Sequence, residues 1–463
     1  MIFQNLLTVV EIKQRSPVFL LLFLLLIQLG LFEIFLFKQV YFYVIVLSII
    51  YILFFALSVH RSLLLLLFII IVFQEPRYQF EYLPFALSQN HVLLIFTPII
   101  FYWILASLAS NEKSNPGRSN LSVTYMVYFI IIAIALCVGI IHHYQWKSVL
   151  TNFLTFFYFI TYFIVLSSLS NNKQIYHYII TIFIASVIAA LQYIYSFFTG
   201  QFSILSMGRI VTGQIHIIYL MIPFLLSFLI NNNTSLRFYS IVPLFILVPA
   251  ILISQTRGTW IACIVAIGVN LFIYFKDRKY SINKITRFSL SAISIVVVIF
   301  LVIHKIVGTN MMDLVEQRVG SIANWEQDTS LNMRAEMNAA VWKEFLSSPI
   351  WGKGLGAIVH VHDWQYQLWI DNTYMVLLWK FGILGFLCFI TILFVVLKRS
   401  YYVYAHTDNM FYKWFSGGTF SAFMGLAVLG LISPVLIKYR FNIIWALIMA
   451  CIEYSFLETK SGE

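Results

Sequence analysis

The sequence predicts an all-α, polytopic membrane protein: a bundle of about twelve to fourteen transmembrane helices with one long extracytoplasmic helical loop near the C-terminal third. Three observations predict it. Of 463 residues, 61% are hydrophobic and only 10% charged, whereas a soluble domain is typically about one quarter charged. The apolar residues gather in runs near the twenty or so needed to cross roughly 30 Å of hydrocarbon. One stretch, Gly308 to Asn372, is long and polar where every other break between runs is short.

Taken in order, the first candidate spans are Val18–Phe37, Tyr41–Ser58, a short one at Ser62–Phe73, Val92–Ala109 and Val123–Ile141. Val149–Ser168, Ile179–Phe197, Ile215–Ile230, Tyr239–Ile253 and Thr259–Phe275 follow. Phe288–Val307 leads into the polar stretch, and Thr373–Leu397, Trp414–Ile432 and Ile443–Phe456 follow it. The first run contains Glu33 and has no small-residue cleavage site, so it reads as a retained span and not a signal peptide. The chain therefore divides into an N-terminal bundle (1–307), an extracytoplasmic loop (308–372) and C-terminal helices (373–463), with no internal repeat of the kind many transporters show.

The formal net charge of +11 is dispersed among short loops between apolar runs. That dispersal is a topology signal, not a nucleic-acid footprint. One alternating set of loops holds most of the basic residues, among them Lys13, Arg61, Lys173, Lys276 and Lys398. This set faces the cytoplasm by the positive-inside rule, with both termini, and Arg209, Arg257 and the polar stretch face outward. The cysteines, Cys137, Cys263, Cys388 and Cys451, lie in apolar runs and suggest no disulfide framework.

Within the polar stretch, Met333, Met337, Val341 and Phe345 recur at four-residue spacing, which predicts a helix with Ser330 as its cap and Pro349 as its stop. Leu314, Val315, Val319 and Ile322 suggest an earlier interfacial amphipathic helix. Gly352, Gly354 and Gly356 resemble a phosphate loop only superficially, since the strand and helix such a loop needs are missing. Glycine there serves the return of the chain into the membrane.

Arg257 stands on a hairpin between two apolar runs. Its permanent charge and rigid donor fork suit a phosphate, and the competing reading is a side chain snorkelling to headgroups. Arg209 presents the same two readings at another outer edge. Arg334 shares a helix face with Asn338 and is either a ligand for an anion or a solvated surface cation. Asp371, two residues before the apolar run that starts at Thr373–Tyr374, suits a general base or a helix N-cap. His360, His362 and Asp363 form a weak metal-ligand pattern, and no metal or cofactor is expected. Trp364, Tyr366 and Trp369 suit either stacking on sugar rings or anchoring at the interface.

Together these elements resemble the O-antigen ligase and Wzy-type polymerase superfamily between about Arg209 and Leu397. The Ser-x-Ser-Arg-Gly element of that family reads here as Ser254-Gln255-Thr256-Arg257-Gly258. The Arg-to-Trp helix with its Pro-x-x-Gly-x-Gly-x-Gly sequel reads as Arg334, Trp342, Pro349, Gly352, Gly354 and Gly356. The closing element reads as Asp371-Asn372-Thr373-Tyr374-Met375, trailed by Gly382-Ile383-Leu384-Gly385. Ligases of the family carry histidine where this chain has Asp371, which points to the polymerase branch. The upstream family pattern survives as Arg209, Gly213 and His216.

The resemblance implies a metal-independent glycosyl transfer at the outer face of a bacterial plasma membrane. The implied donor is a glycan on polyprenyl diphosphate and the implied acceptor another lipid-linked glycan, with membrane lipids and other polysaccharide export proteins as surroundings and no nucleic acid. It further implies catalytic roles for Asp371, Arg257 and Arg334, and substrate contacts for Arg209, Asn372, Trp364 and Tyr374. Ligase-type transfer to another acceptor is one alternative. A lipid or polysaccharide transporter is the alternative from a different class, with Glu33 and Glu453 as almost its only deep ionisable candidates.

Overall fold

The computed structural model describes residues 59–72, 92–93, 96–101, 103–104, 119–198, 215–231, 234–254, 256–276, 329–361, 364–367 and 369–461. The expected spans Val18–Phe37, Tyr41–Ser58 and Phe288–Val307, and the amphipathic piece around Leu314–Ile322, lie outside the described residues.

The expected all-α bundle is what forms. Its helices are α1 (Val59–Val72), α2 (Asn120–Ile141), α3 (Trp146–Phe157), α4 (Thr161–Ser168), α5 (Asn172–Phe198), α6 (Ile215–Asn231), α7 (Thr234–Ile253) and α8 (Arg257–Lys276). A loop helix, α9 (Thr329–Leu346), is followed by two short strands, β1 (Val359–Val361) and β2 (Trp364–Gln367), and by α10 (Thr373–His406), α11 (Met410–Leu429) and α12 (Tyr439–Ser461). Helices α3 and α4 run on through one 3₁₀ turn at Tyr158–Ile160 and make a single span. Six described segments are long and apolar enough to cross a membrane. The described part of the Ser62–Phe73 run, Ser62–Val72, is helical within α1, which is only 14 residues long.

Helix starts follow ordinary capping chemistry. The side chains of Ser119, Asn372 and Asn409 accept backbone N–H bonds at the first turns of α2, α10 and α11, supplying acceptors that the helix itself cannot. Helix α9 begins at Thr329, one residue ahead of the expected cap at Ser330. The predicted face is the one it buries, through Met337, Val341 and Phe345.

Buried polar side chains inside the bundle find main-chain acceptors, as they must away from water. The Pro223 carbonyl accepts from Asn270 Nδ2 at 3.2 Å and the Phe224 carbonyl from Trp414 Nε1 at 2.7 Å. Small residues let helices approach. A Cβ on Gly425 of α11 would lie 2.5 Å from the Ala262 carbonyl oxygen of α8, the close contact that small residues permit between membrane helices. One buried ion pair, Arg399 with Glu453, joins α10 to α12, with Arg399 also 4.7 Å over the Phe456 ring. Glu453, one of the deep carboxylates that a transporter would use, is therefore neutralised inside the bundle.

The two ends of the bundle differ. At one, Lys276 at the end of α8 lies over Tyr401 of α10, Tyr402 packs on Phe456 of α12, and Tyr412 of α11 bonds Asn172 of α5. At the other lie the starts of α3, α8, α10 and α12, the ends of α2 and α11, and the loop that carries α9 and the β1–β2 hairpin.

Helix α10 is broken. Gly382 has φ 64° and ψ −167°, so Thr373–Phe381 and Ile383–His406 are two helical pieces. The short piece folds back across the end of the bundle. On a straight helix Tyr374 and Phe386 would be about 18 Å apart along the axis, yet their rings lie 6.4 Å apart. The Thr373 amide also bonds the Gly430 carbonyl at 2.8 Å.

Gly354 has φ +84°, and a Cβ there would meet the Gly139 nitrogen at 2.7 Å and the Ala135 oxygen at 2.9 Å. Gly354→Ala should therefore cost about 1–3 kcal/mol through backbone strain alone. Gly268, inside α8 with nothing within 4 Å, supplies the contrast: alanine should be neutral or stabilise by up to about 1 kcal/mol. Thermal unfolding of both variants in detergent measures the difference, and equal melting temperatures would contradict the packing described.

Candidate functional site

The break in α10 leaves backbone groups without helical partners, and the Pro349–Gly354 segment supplies them. Lys353 N donates to the Trp379 carbonyl at 2.7 Å and Gly354 N to the Lys380 carbonyl at 3.1 Å. Ile383 N, the first donor after the break, reaches the Pro349 carbonyl at 2.8 Å. Glycine is required twice over. Gly352, Gly354 and Gly356 all have positive φ, and a Cβ on Gly352 would sit 2.5 Å from the backbone at Lys380 and Gly382. These glycines are conformational necessities in a packed segment, not a phosphate cradle.

From there the chain is stitched to its neighbours. Leu355 N donates to the Ala135 carbonyl of α2 at 2.9 Å, and Gly356 N to Asn152 Oδ1 of α3 at 3.2 Å. Lys380, fully buried, donates to the same Asn152 Oδ1 at 2.7 Å and to the Ala357 carbonyl at 3.1 Å. Its ammonium also lies 4.2 Å from the Trp379 ring centroid and 5.4 Å from that of Trp369, a distance at which a cation is attracted to the ring face. Lys380 and Asn152 escaped the sequence reading. The available signal was a lysine within the apolar run Thr373–Leu397, since an ionisable residue in a span is a functional candidate by default.

The folded-back piece carries Asp371 and Asn372 at its start. Asn372, not Asp371, is the cap: its Oδ1 accepts from Tyr374 N at 3.0 Å and Met375 N at 3.1 Å. The Asp371 carboxylate turns instead to Arg334 of α9, with Arg334 Nη2 at 3.3 Å from Oδ2. The aspartate side chain is 53% exposed and the arginine 23%, so the pair lies open on one side. Tyr374 sends its hydroxyl to the Ala427 carbonyl of α11 at 2.7 Å.

Arg257 reaches the same edge from another direction. It is the first residue of α8, and a Cβ on its neighbour Gly258 would meet Ile432 and Leu429 side chains at 2.4 and 3.2 Å. The end of α11 and the turn that follows it thus touch the start of α8 through Leu429 and Ile432 and the start of α10 through Gly430. Arg257 stands one residue before the first of these contacts and Asp371 two residues before the second. A cation at the positive end of a helix costs about 0.3–1 kcal/mol, so helix stability does not account for Arg257 there. The Thr259 and Trp260 amides of the first turn bond the Thr256 carbonyl at 2.9 and 3.2 Å, and an anion at this end would meet the positive end of the helix beside the guanidinium.

The other expected residues fare differently. Arg209, His362 and Asp363 lie outside the described residues. Trp364 belongs to β2, which pairs antiparallel with β1. His360 is exposed on β1. Among the described residues no group of three or more histidine, cysteine, aspartate or glutamate side chains is placed to hold a metal ion.

Fold and edge together define a multi-pass membrane protein with two arginines and a carboxylate gathered at one end of its bundle. Residues 242–390, roughly a third of the chain, match the family described as Wzy_C, O-Antigen ligase. The matched segment contains Arg257, Arg334, the glycine run and Asp371 and supports the O-antigen ligase/Wzy superfamily that their motifs resemble. The family supports a membrane enzyme of the O-antigen ligase or polymerase type acting on lipid-linked glycans. No curated protein matches the chain.

Lys380→Met removes a buried donor and leaves the Ala357 carbonyl short of a partner, a loss of about 1–3 kcal/mol. The variant should melt at lower temperature and be cut more readily by trypsin at Lys353, whose amide is held by the same break. Unchanged melting and trypsin resistance would show that the ammonium does not hold the loop.

Proposed function

We propose that the chain is a polysaccharide polymerase that joins polyprenyl-diphosphate-linked repeat units at the outer face of the plasma membrane. The observation that carries this reading is the Arg334–Asp371 pair, open on one side and set at the same edge as Arg257. Chemically, a hydroxyl of the acceptor glycan attacks the anomeric carbon of the donor. The bond between that carbon and the diphosphate oxygen breaks, and the diphosphate leaves with its lipid.

Each residue has a role suited to its type. Arg257, at the start of α8, and Arg334 meet the diphosphate, whose negative charge grows as the bond breaks. Positioned cationic donors stabilise such charge where a metal otherwise would. Asp371 accepts the proton of the attacking hydroxyl. In the free protein Arg334 is shared with Asp371, so a bound diphosphate that draws Arg334 toward itself leaves the carboxylate open to the acceptor. The donor is already activated, so no nucleotide is needed. The aspartate at the position where family ligases carry histidine supports the polymerase branch. The loop-charge bias supports an outward-facing edge.

Arg257→Ala or Arg334→Ala should reduce polymer about a hundredfold, the effect of losing one oxyanion donor, with protein abundance unchanged. Lysine should rescue poorly because it lacks the planar fork. Asp371→Asn should lower turnover by roughly two to four orders of magnitude without loss of protein, because the helix cap is Asn372. Glycan gels from a complemented deletion strain measure all three. Single repeat units should accumulate in the deletion strain, full-length lipid-linked chains there would assign a ligase, and normal polymer in Asp371→Asn would remove the base.

A further inference from the structure

The loop presents an apolar surface that the proposed chemistry does not use. Trp342 and Leu346 on the outer side of α9, and Ile350 and Trp351 beyond it, are 45%, 58%, 54% and 48% exposed. Four large apolar side chains on a polar loop need a covering. We infer that they form a shelf seated in the lipid bilayer, at the boundary between headgroups and acyl chains on the side of the membrane that holds the Arg334–Asp371 pair.

Three observations favour lipid as the occupant. The first is continuity with the surface of the spans. Ile350 and Trp351 are fixed beside the break in α10 by the Ile383–Pro349 and Lys353–Trp379 backbone bonds. Immediately past the break, Ile383, Leu384 and Leu387 are exposed on α10, and the outward side chains of a spanning helix face lipid. On the other flank Gly354 is pressed against α2 at Gly139, where Ile140, Ile141 and Trp146 are exposed at the α2–α3 turn. The shelf therefore joins two lipid-facing strips.

The second observation is the level of the membrane. Ile383–His406 alone is 24 residues, about 36 Å of helix, enough to cross roughly 30 Å of hydrocarbon. The outer hydrocarbon boundary thus lies near the break, which is where Ile350 and Trp351 are held. The third is composition. Tryptophans beside an exposed lysine, Lys343, make the pairing of amphipathic ring and cation that favours the membrane–water interface.

The consequence concerns α9 as a whole. Its C-terminal end is anchored in lipid, while Arg334 lies twelve residues, about 18 Å, toward its other end. The bilayer surface then sets the height at which Arg334 meets a lipid-linked diphosphate.

Spin labels test this in the full-length protein in phospholipid nanodiscs, after replacement of Cys137, Cys263, Cys388 and Cys451. Labels go singly at Leu346 and Trp351, with Leu387 on the span as the lipid reference and Glu336, exposed on α9, as the water reference. Collision with oxygen and with a water-soluble nickel chelate is read by power saturation. Leu346 and Trp351 labels should favour oxygen over the chelate severalfold more than the Glu336 label does, approaching Leu387. Chelate access equal to that at Glu336 would overturn the inference. Protection from both reagents would overturn it too, by assigning the shelf to a protein partner or a second copy. The measurement needs no activity, so its failure leaves the proposed chemistry untouched, and failure of the chemistry leaves the shelf.

Discussion

The break in α10 at Gly382 is the constraint on which the rest of this edge depends. A helix interrupted at a membrane surface exposes carbonyls and amides whose loss of partners would cost about 1–3 kcal/mol each. Three backbone bonds from Pro349, Lys353 and Gly354 meet that demand. Because those bonds are made by main chain, the segment that makes them must approach within van der Waals contact of another main chain, and only glycine allows this at Gly352 and Gly382. The loop, the folded-back piece of α10 and the α2–α3 pair are thereby locked into one unit, with the Lys380 ammonium as its buried tie.

That unit determines where the charges sit. Folding Thr373–Phe381 back over the bundle brings Asp371 to the surface, while the anchoring of the loop fixes the end of α9 so that Arg334 reaches the carboxylate. Arg257 arrives independently, at the start of α8, and is set against the same turn of α11. Neither the helix dipole nor the ion pair contributes much to these placements. A cation at a helix N-terminus opposes the dipole, and a half-exposed ion pair contributes about 0–1 kcal/mol. An anion would offset that charge, which is the role proposed above for the diphosphate of the donor. The frame and the proposed site thus rest on different interactions: backbone bonds and close-packed glycines for the frame, partly buried cations for the site.

Much of this was legible in the sequence, and what was not has a physical reason. The four-residue recurrence of Met337, Val341 and Phe345 identified the buried face of α9, because side-chain period reports burial directly. Arg257, Arg334 and Asp371 stood out because charges are scarce in a chain this apolar. The break in α10 was visible only as the glycine pair Gly382 and Gly385 inside the run Thr373–Leu397, since the bonds that fill it are main-chain and non-local and leave no side-chain pattern. Asp371 and Asn372 are both good caps, and only geometry assigns the cap to Asn372 and frees Asp371 for Arg334. Arg399 reads as a loop residue beyond the run that ends at Leu397, yet α10 continues to His406 and buries it against Glu453.

The most direct measurement of the central claim is a cryo-electron microscopy structure of the full chain in nanodiscs with a polyprenyl diphosphate bound. The diphosphate should lie within hydrogen-bonding distance of both Arg257 and Arg334, at the end of the bundle that holds Asp371. A diphosphate bound at the opposite end, beside Lys173 and Lys413, or one that touches neither arginine, would contradict it.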